Sequence, residues 1–200
     1  MKRLLAILFL AAVLFITWWF FIKKDTYKAE PKQEAVKIGK HSKEFNESVA
    51  AVVTDYLSLK SAFVDADTIN VKINGRKFIA AIDSLKIDEL RKDDAQILLA
   101  ARQAVSDAKI NAQALLQESA LTEMREDFRM VSENLYPFLK TIGYEGQKLY
   151  WQNCPMAFGE NKEGNWLSST SEIINPYLGK NHPEYKSTML SCGETKDSLK

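Results

Sequence analysis

Two cysteines occur in the 200-residue chain, and each has a methionine close by. Cys154-Pro155-Met156 sets a thiol and a thioether two residues apart, with proline fixing the backbone between them. Met189-Leu190-Ser191-Cys192-Gly193 sets a second such pair three apart, a spacing that converges when the segment makes a helical turn. Thiolate and thioether together are the soft donor set that Cu(I) or Ag(I) prefers. Zinc would want more thiolate or imidazole, and the CxxC and HxxxH spacings are absent. His182 lies between the pairs and adds a nitrogen donor, the weakest member of the set Cys154, Met156, Met189, Cys192 and His182. His41 sits in a polar stretch and reads as solvated.

The same two cysteines support another reading. In an oxidising compartment two cysteines in one domain usually pair with each other. A Cys154–Cys192 disulfide would close a loop of about 39 residues, worth about 4 kcal/mol in the chain-entropy model. The methionines would then be packing residues. Trp151, Trp166 and Tyr177 read as aromatic anchors that tie the surrounding segment to a core, rather than as a ligand cage. No Ser-His-Asp order, paired histidine–carboxylate motif or phosphate-cradling glycine loop is present, and CxxCH is absent, so the chain reads as non-enzymatic.

Positioning these residues requires a scaffold, and the hydrophobic periodicity supplies one. Phe45, Val49, Val52, Val53, Tyr56, Leu57 and Phe63 recur at steps of three and four, which predicts an amphipathic helix over 43–64. Asp65 and Asp67 offer N-caps for a second helix carrying Phe78, Ile82 and Leu85, weakened by Gly75. Leu98, Ala101, Val105, Ala108, Ala112 and Leu115 follow Asp93-Asp94 in the same spacing. Leu121, Met124, Phe128, Val131, Leu135, Phe138 and Ile142 repeat it, with Gly143 as C-cap and Pro137 expected to kink the helix or open one turn. The expected fold is all-α: an up-down bundle of about four helices over 43–143. The segment 144–200 holds both cysteines and is expected to pack on the bundle as an irregular tail, with Lys148–Gln152 as a candidate short strand.

The other end of the chain reads as membrane. Leu4 to Ile22 is apolar apart from Thr17 and reaches roughly 28 Å as a helix, close to the hydrocarbon thickness. It ends in Trp18-Trp19-Phe20-Phe21, bulky where a signal peptidase needs small residues and suited to the interfacial aromatic belt. Residues 1–3 are then a cytoplasmic tail, 4–22 an uncleaved transmembrane signal anchor, with a cleaved signal peptide as the lesser alternative, and 23–42 a polar tether. Lys2, Arg3, Lys23 and Lys24 carry all the charge of residues 1–24. The rest of the chain is therefore mildly acidic, with 23 of the 27 basic residues against all 26 acidic ones. That balance argues against a nucleic-acid partner.

The runs LYWQNCPMAFGENKEGNWLSSTSEIINPYLG and MLSCGE carry a resemblance, joined by FNESVAAVVTDYLSLKSAFVDAD and FRMVSENLYPFL in the helical part. About residues 43–195 resemble an uncharacterised bacterial domain of exported proteins. That domain recurs as a C-terminal extension on periplasmic adaptor subunits of copper and silver efflux pumps, and as small stand-alone proteins. The specific part is Cys154-Pro155-Met156, Trp166-Leu167-Ser168, Asn175-Pro176-Tyr177 with Gly179, and Met189 with Cys192-Gly193. Residues 181–186 are extra between the Gly179 turn and Met189, which leaves His182 the least secure ligand. The resemblance implies copper or silver handling and an efflux-pump or envelope partner, and carries no established activity.

The reading is a single-pass inner-membrane protein with its C-terminal domain in the periplasm, which handles a soft metal or, alternatively, docks a partner through a disulfide-stapled module. A periplasm-active reporter fused after Lys200 is expected to be on. A cytoplasm-only reporter firing there would reverse the orientation.

Overall fold

A computed structural model describes residues 13–19 and 40–199, which fall in two units, Met1–Val36 and Lys37–Lys200. In the first unit residues 13–19 are helical, with Leu14, Phe15, Trp18 and Trp19 exposed. The rest of the expected 4–22 span, the tail 1–3 and the tether up to residue 39 lie outside the described residues. Among the described residues no helix is long and apolar enough to cross a membrane.

The second unit begins with four α-helices and one short 3-10 turn. They are α1 (Lys43–Val64), α2 (Thr68–Asp83), the 3-10 turn Ile87–Lys92, α3 (Ala95–Gln117) and α4 (Leu121–Thr141). Three helices start at a side-chain cap that takes up an otherwise unpaired backbone N–H. Ser42 Oγ accepts from Phe45 N at 3.1 Å, Asp67 from Asn70 N at 3.0 Å, and Asp94 from Gln96 N at 2.8 Å. α4 runs through Pro137 and closes on Gly143, which adopts φ +62°. Gly143 N donates to Lys140 O and Tyr144 N to Leu139 O, the paired bonds of a glycine-terminated helix end.

The apolar stripes face one another as the periodicity requires. Phe45, Val49, Val52, Val53, Tyr56 and Phe63 of α1 are buried, as are Ala101, Ala108, Ala112 and Leu115 of α3 and Met124, Phe128, Val131, Leu135 and Phe138 of α4. Each helix packs on the next, and α1 meets α4 through Phe63 and Phe128, whose ring centroids lie 4.7 Å apart. Gly75 weakens α2 as a helix former but lets α3 approach, since a Cβ there would stand 3.2 Å from Leu116 Cδ2.

The expectation of an all-α fold with an irregular tail needs correction. The tail folds as a three-stranded antiparallel sheet of β1 (Leu149–Cys154), β2 (Gly164–Ser168) and β3 (Glu194–Leu199), in the order β2-β1-β3. The candidate strand at Lys148–Gln152 corresponds to β1, shifted towards Cys154. β3 escapes a period-based reading because ETKDSL exposes every residue but Leu199. It is an edge strand defined by its partner rather than by an apolar face.

His41 also departs from the solvated reading. Its side chain is only 1% exposed, its ring stands 4.5 Å from that of Phe45, and Nε2 donates to Ile142 O at 2.7 Å. Beside it Glu89 accepts from Ser42 N at 2.6 Å, from Ser42 Oγ, and from Lys92 Nζ at 2.8 Å. Burial opposes ionisation of Glu89, yet the hydrogen bonds from Lys92 and Ser42 outweigh it and hold the carboxyl at about 2. A depressed folded-state pKa contributes stability above the ordinary value and loses it below. The Glu89 contribution should therefore be intact above pH about 4.5 and fade as the pH falls to about 2. Glu89→Gln should lower the melting temperature at neutral pH and flatten that acid limb, and thermal melts across the window check both.

Candidate functional site

Antiparallel pairing of β1 with β3 sets Asn153 opposite Glu194. Cys154, the last residue of β1, and Cys192, two residues before β3, therefore lie at the same end of the sheet. The link between them is tight. Gly193 has φ +140°, and a Cβ there would stand 2.6 Å from Asn153 O. Only glycine fits this approach.

Cys154 is buried and Cys192 partly so. Their side chains lie close enough to interact. Burial first, and then the hydrogen bond and charge of Cys154, push the Cys192 thiol up to about 12. Met189 is half-buried against the core, and its carbonyl accepts from Cys192 N at 3.0 Å, so thioether and thiol share one turn.

Met156 and His182 go elsewhere. Both line a cleft of about 240 Å³ that the two cysteines do not line. His182 Nδ1 accepts from the backbone N–H groups of Glu184 and Tyr185, each at 3.2 Å, and its ring stacks on Tyr185 at 4.9 Å. Burial, and then the charge of Arg125, lower its pKa below the ordinary imidazole value. With Nδ1 accepting, the neutral ring carries its proton on Nε2. Metal ligation through Nε2 would move that proton to Nδ1, against two backbone donors. Among the described residues no group of three or more His, Cys, Asp or Glu side chains could hold a metal ion.

Side chains from three elements fix the sheet to the helices. Trp166 is fully buried in β2, and its Nε1 donates to Gln152 Oε1 at 2.8 Å. Gln152 Nε2 donates on to Thr170 O at 3.1 Å and Glu172 O at 3.2 Å. Tyr177 packs 6.0 Å from Phe128 of α4 and donates its hydroxyl to Asn165 O. Trp151 stacks on Tyr136 of α4, 4.2 Å away with an interplanar angle of 7°.

Two residues in this framework have roles that sequence reasoning missed. Asn175 reads as a turn residue by composition, yet it is fully buried and organises the whole sulfur end of the sheet. Its Oδ1 accepts from Tyr177 N at 2.8 Å and Leu178 N at 3.0 Å, and its Nδ2 donates to Cys192 O at 2.9 Å. Tyr56 reads as one more apolar position on α1. Its hydroxyl accepts from Leu167 N of β2 at 3.0 Å and contacts Ser132 Oγ of α4 at 2.7 Å. Ser132 already donates to Phe128 O at 3.0 Å, so the phenol proton goes to Ser132. No short-range pattern announces either role. The available signal is the polar atom itself on an otherwise apolar face.

Tyr56→Phe tests this attachment. It strands the buried Leu167 N–H without creating a large cavity, at a cost of about 1–3 kcal/mol. The expected result is a lower melting temperature with helical circular dichroism intact, and faster labelling of Cys154 by a thiol reagent.

Residues 52–147 match the family model described as "Protein of unknown function (DUF3347)". No curated protein and no solved structure matches the chain. The match ends before β1, so the cysteine-bearing sheet and the adaptor-subunit setting expected from the resemblance fall outside it. What the comparison shows is that the helical part of this chain, from within α1 to just past α4, is similar to an uncharacterised domain.

Proposed function

We propose that the chain is a membrane-anchored, extracytoplasmic, non-enzymatic protein that holds a soft monovalent ion, Cu(I) or Ag(I), as an accessory to heavy-metal efflux. Cys154 and Cys192 are the principal ligands, and Met189 is the thioether donor beside them. The supporting observation is that strand pairing brings two cysteines far apart in sequence to one end of the sheet, Cys154 buried and Cys192 partly so. Paired sulfur suits a soft ion and offers little to magnesium or calcium. Met189, one turn before Cys192, is the better placed thioether. Met156 lines the neighbouring cleft, and His182 is committed to its own turn. The membrane anchor rests on the Leu4–Ile22 apolar run, and the periplasmic location on the residues flanking it.

The same proximity also favours a second reading, in which Cys154 and Cys192 form a disulfide and the stapled module docks an envelope partner. A disulfide cannot supply two thiolates, so the two readings exclude each other in any one molecule.

Titrating the full-length protein with Cu(I) against a competing chelator, before and after reduction, separates them. The metal reading expects tight binding by the reduced protein only. Met189→Leu should weaken binding while costing usually below about 1.5 kcal/mol in stability, because volume is nearly kept. The staple reading expects no free thiols in the native protein, a substantial fall in melting temperature on reduction, and a silent methionine change. Binding that survives loss of both cysteines would remove this site from the metal reading.

A further inference from the structure

The sulfur reading makes little use of the cleft between the start of α4 and the loops after β1 and β2. Thr122 and Arg125 of α4 line it, together with Met156, Phe158, Tyr177 and Tyr185. Arg125 is the anomaly. It sits four residues after Leu121 and three before Phe128, on the core side of its helix, and is 4% exposed. It forms no ion pair among the described residues, and its Nε and Nη2 have no hydrogen-bond partner. A buried cation without a counter-charge carries a desolvation penalty that no Coulombic attraction repays. Burial pulls its pKa down to about 10, so the guanidinium keeps its charge at neutral pH.

Nothing around it supplies the missing anion. A Cβ on Gly179 would stand 3.1 Å from Arg125 Nη2, 2.9 Å from Val64 O and 3.2 Å from Phe63 O, so the guanidinium lies near the negative end of α1. Each carbonyl already accepts a backbone bond, Val64 O from Lys180 N at 2.8 Å and Phe63 O from Ala66 N at 3.1 Å, and neither carries the full negative charge of a counter-ion. Glu126 lines the cleft but pairs with Arg129 at 3.4 Å, and Glu184 lines it without an ion pair to Arg125.

We propose that this cleft binds a small organic carboxylate, with the Arg125 guanidinium gripping the carboxylate and Phe158, Tyr177 and Tyr185 packing on an apolar body. A guanidinium matches a carboxylate in planar, two-pronged geometry. The cleft's volume of about 240 Å³ suits a body of roughly one aromatic side chain. One arginine facing two glutamates admits a monoanion more readily than a phosphate dianion. This proposal does not depend on the sulfur reading, and its test uses reduced, metal-free, full-length protein.

Calorimetry with phenylacetate, phenylacetamide and inorganic phosphate provides that test. Saturable phenylacetate binding below about 10 mM is expected, with the amide and phosphate at least about tenfold weaker. Arg125→Met should abolish the binding while keeping or raising the melting temperature, because it removes an unpaired buried charge. Thr122→Glu provides a second check at an exposed position three residues before Arg125 on the same helix. Its fixed carboxylate should compete with the ligand and weaken binding at least about tenfold without unfolding α4. Absence of phenylacetate binding, equal binding of the amide, or wild-type binding by both variants would overturn the proposal.

Discussion

One phenol hydroxyl ties the two kinds of secondary structure together. Tyr56 projects from the apolar face of α1, yet its oxygen is the partner of a β2 backbone N–H and of a serine on α4. Complete burial pushes its pKa well above the ordinary phenol value, so it stays a neutral donor and acceptor. Leu167 N would otherwise be a buried donor facing helices that have no free backbone acceptor to offer. A helical bundle and a sheet cannot share backbone hydrogen bonds along their lengths. Side chains such as Tyr56, Gln152 and Asn175 must therefore satisfy the backbone where the two meet.

The end of α1 poses the same problem from the other side. Its last carbonyls need donors, and the chain returns from β2 to supply one: Lys180 N reaches Val64 O at 2.8 Å. That return is possible because Gly179 adopts φ +57° where a Cβ would stand 2.9 Å from Val64 O. Asn175 fixes the turn before it, and Tyr177 fills the core between them. The Asn-Pro-Tyr and glycine pattern is thus one mechanical unit that docks the loop on α1 and holds Cys192 in place.

The helices were largely legible in the sequence, and the sheet was not. α1 spans Lys43–Val64, where its three-four spacing puts it. Helical periodicity is local, so a single stretch of chain carries it. β3 has no such stripe, since its polar residues face solvent at a sheet edge and only pairing with β1 makes it a strand. The candidate site divided in the same way. Residue type and neighbours singled out Cys154 and Cys192, but spacing alone suggested that all four sulfurs would converge, whereas Met156 turns toward another cleft. Arg125 was hidden because a basic residue on a helix reads as solvated until its register against Leu121 and Phe128 is weighed.

Burial of Cys154 also decides how anything can reach the sulfur pair. On one side β2 pairs with it, Gly164 opposite Cys154, and opening that side would expose Trp166, one of the largest fully buried side chains of the domain. The other side is covered by β3 and the turn through Met189, Cys192 and Gly193. β3 contributes one buried residue, and its tie to the bundle is the Lys140–Asp197 ion pair at 3.0 Å together with the Tyr136 hydroxyl. Exposed contacts of this kind are worth little each, so this edge has the least to lose on opening. The β3 edge is therefore the side of the sheet that opens at least cost while α1 to α4 stay packed.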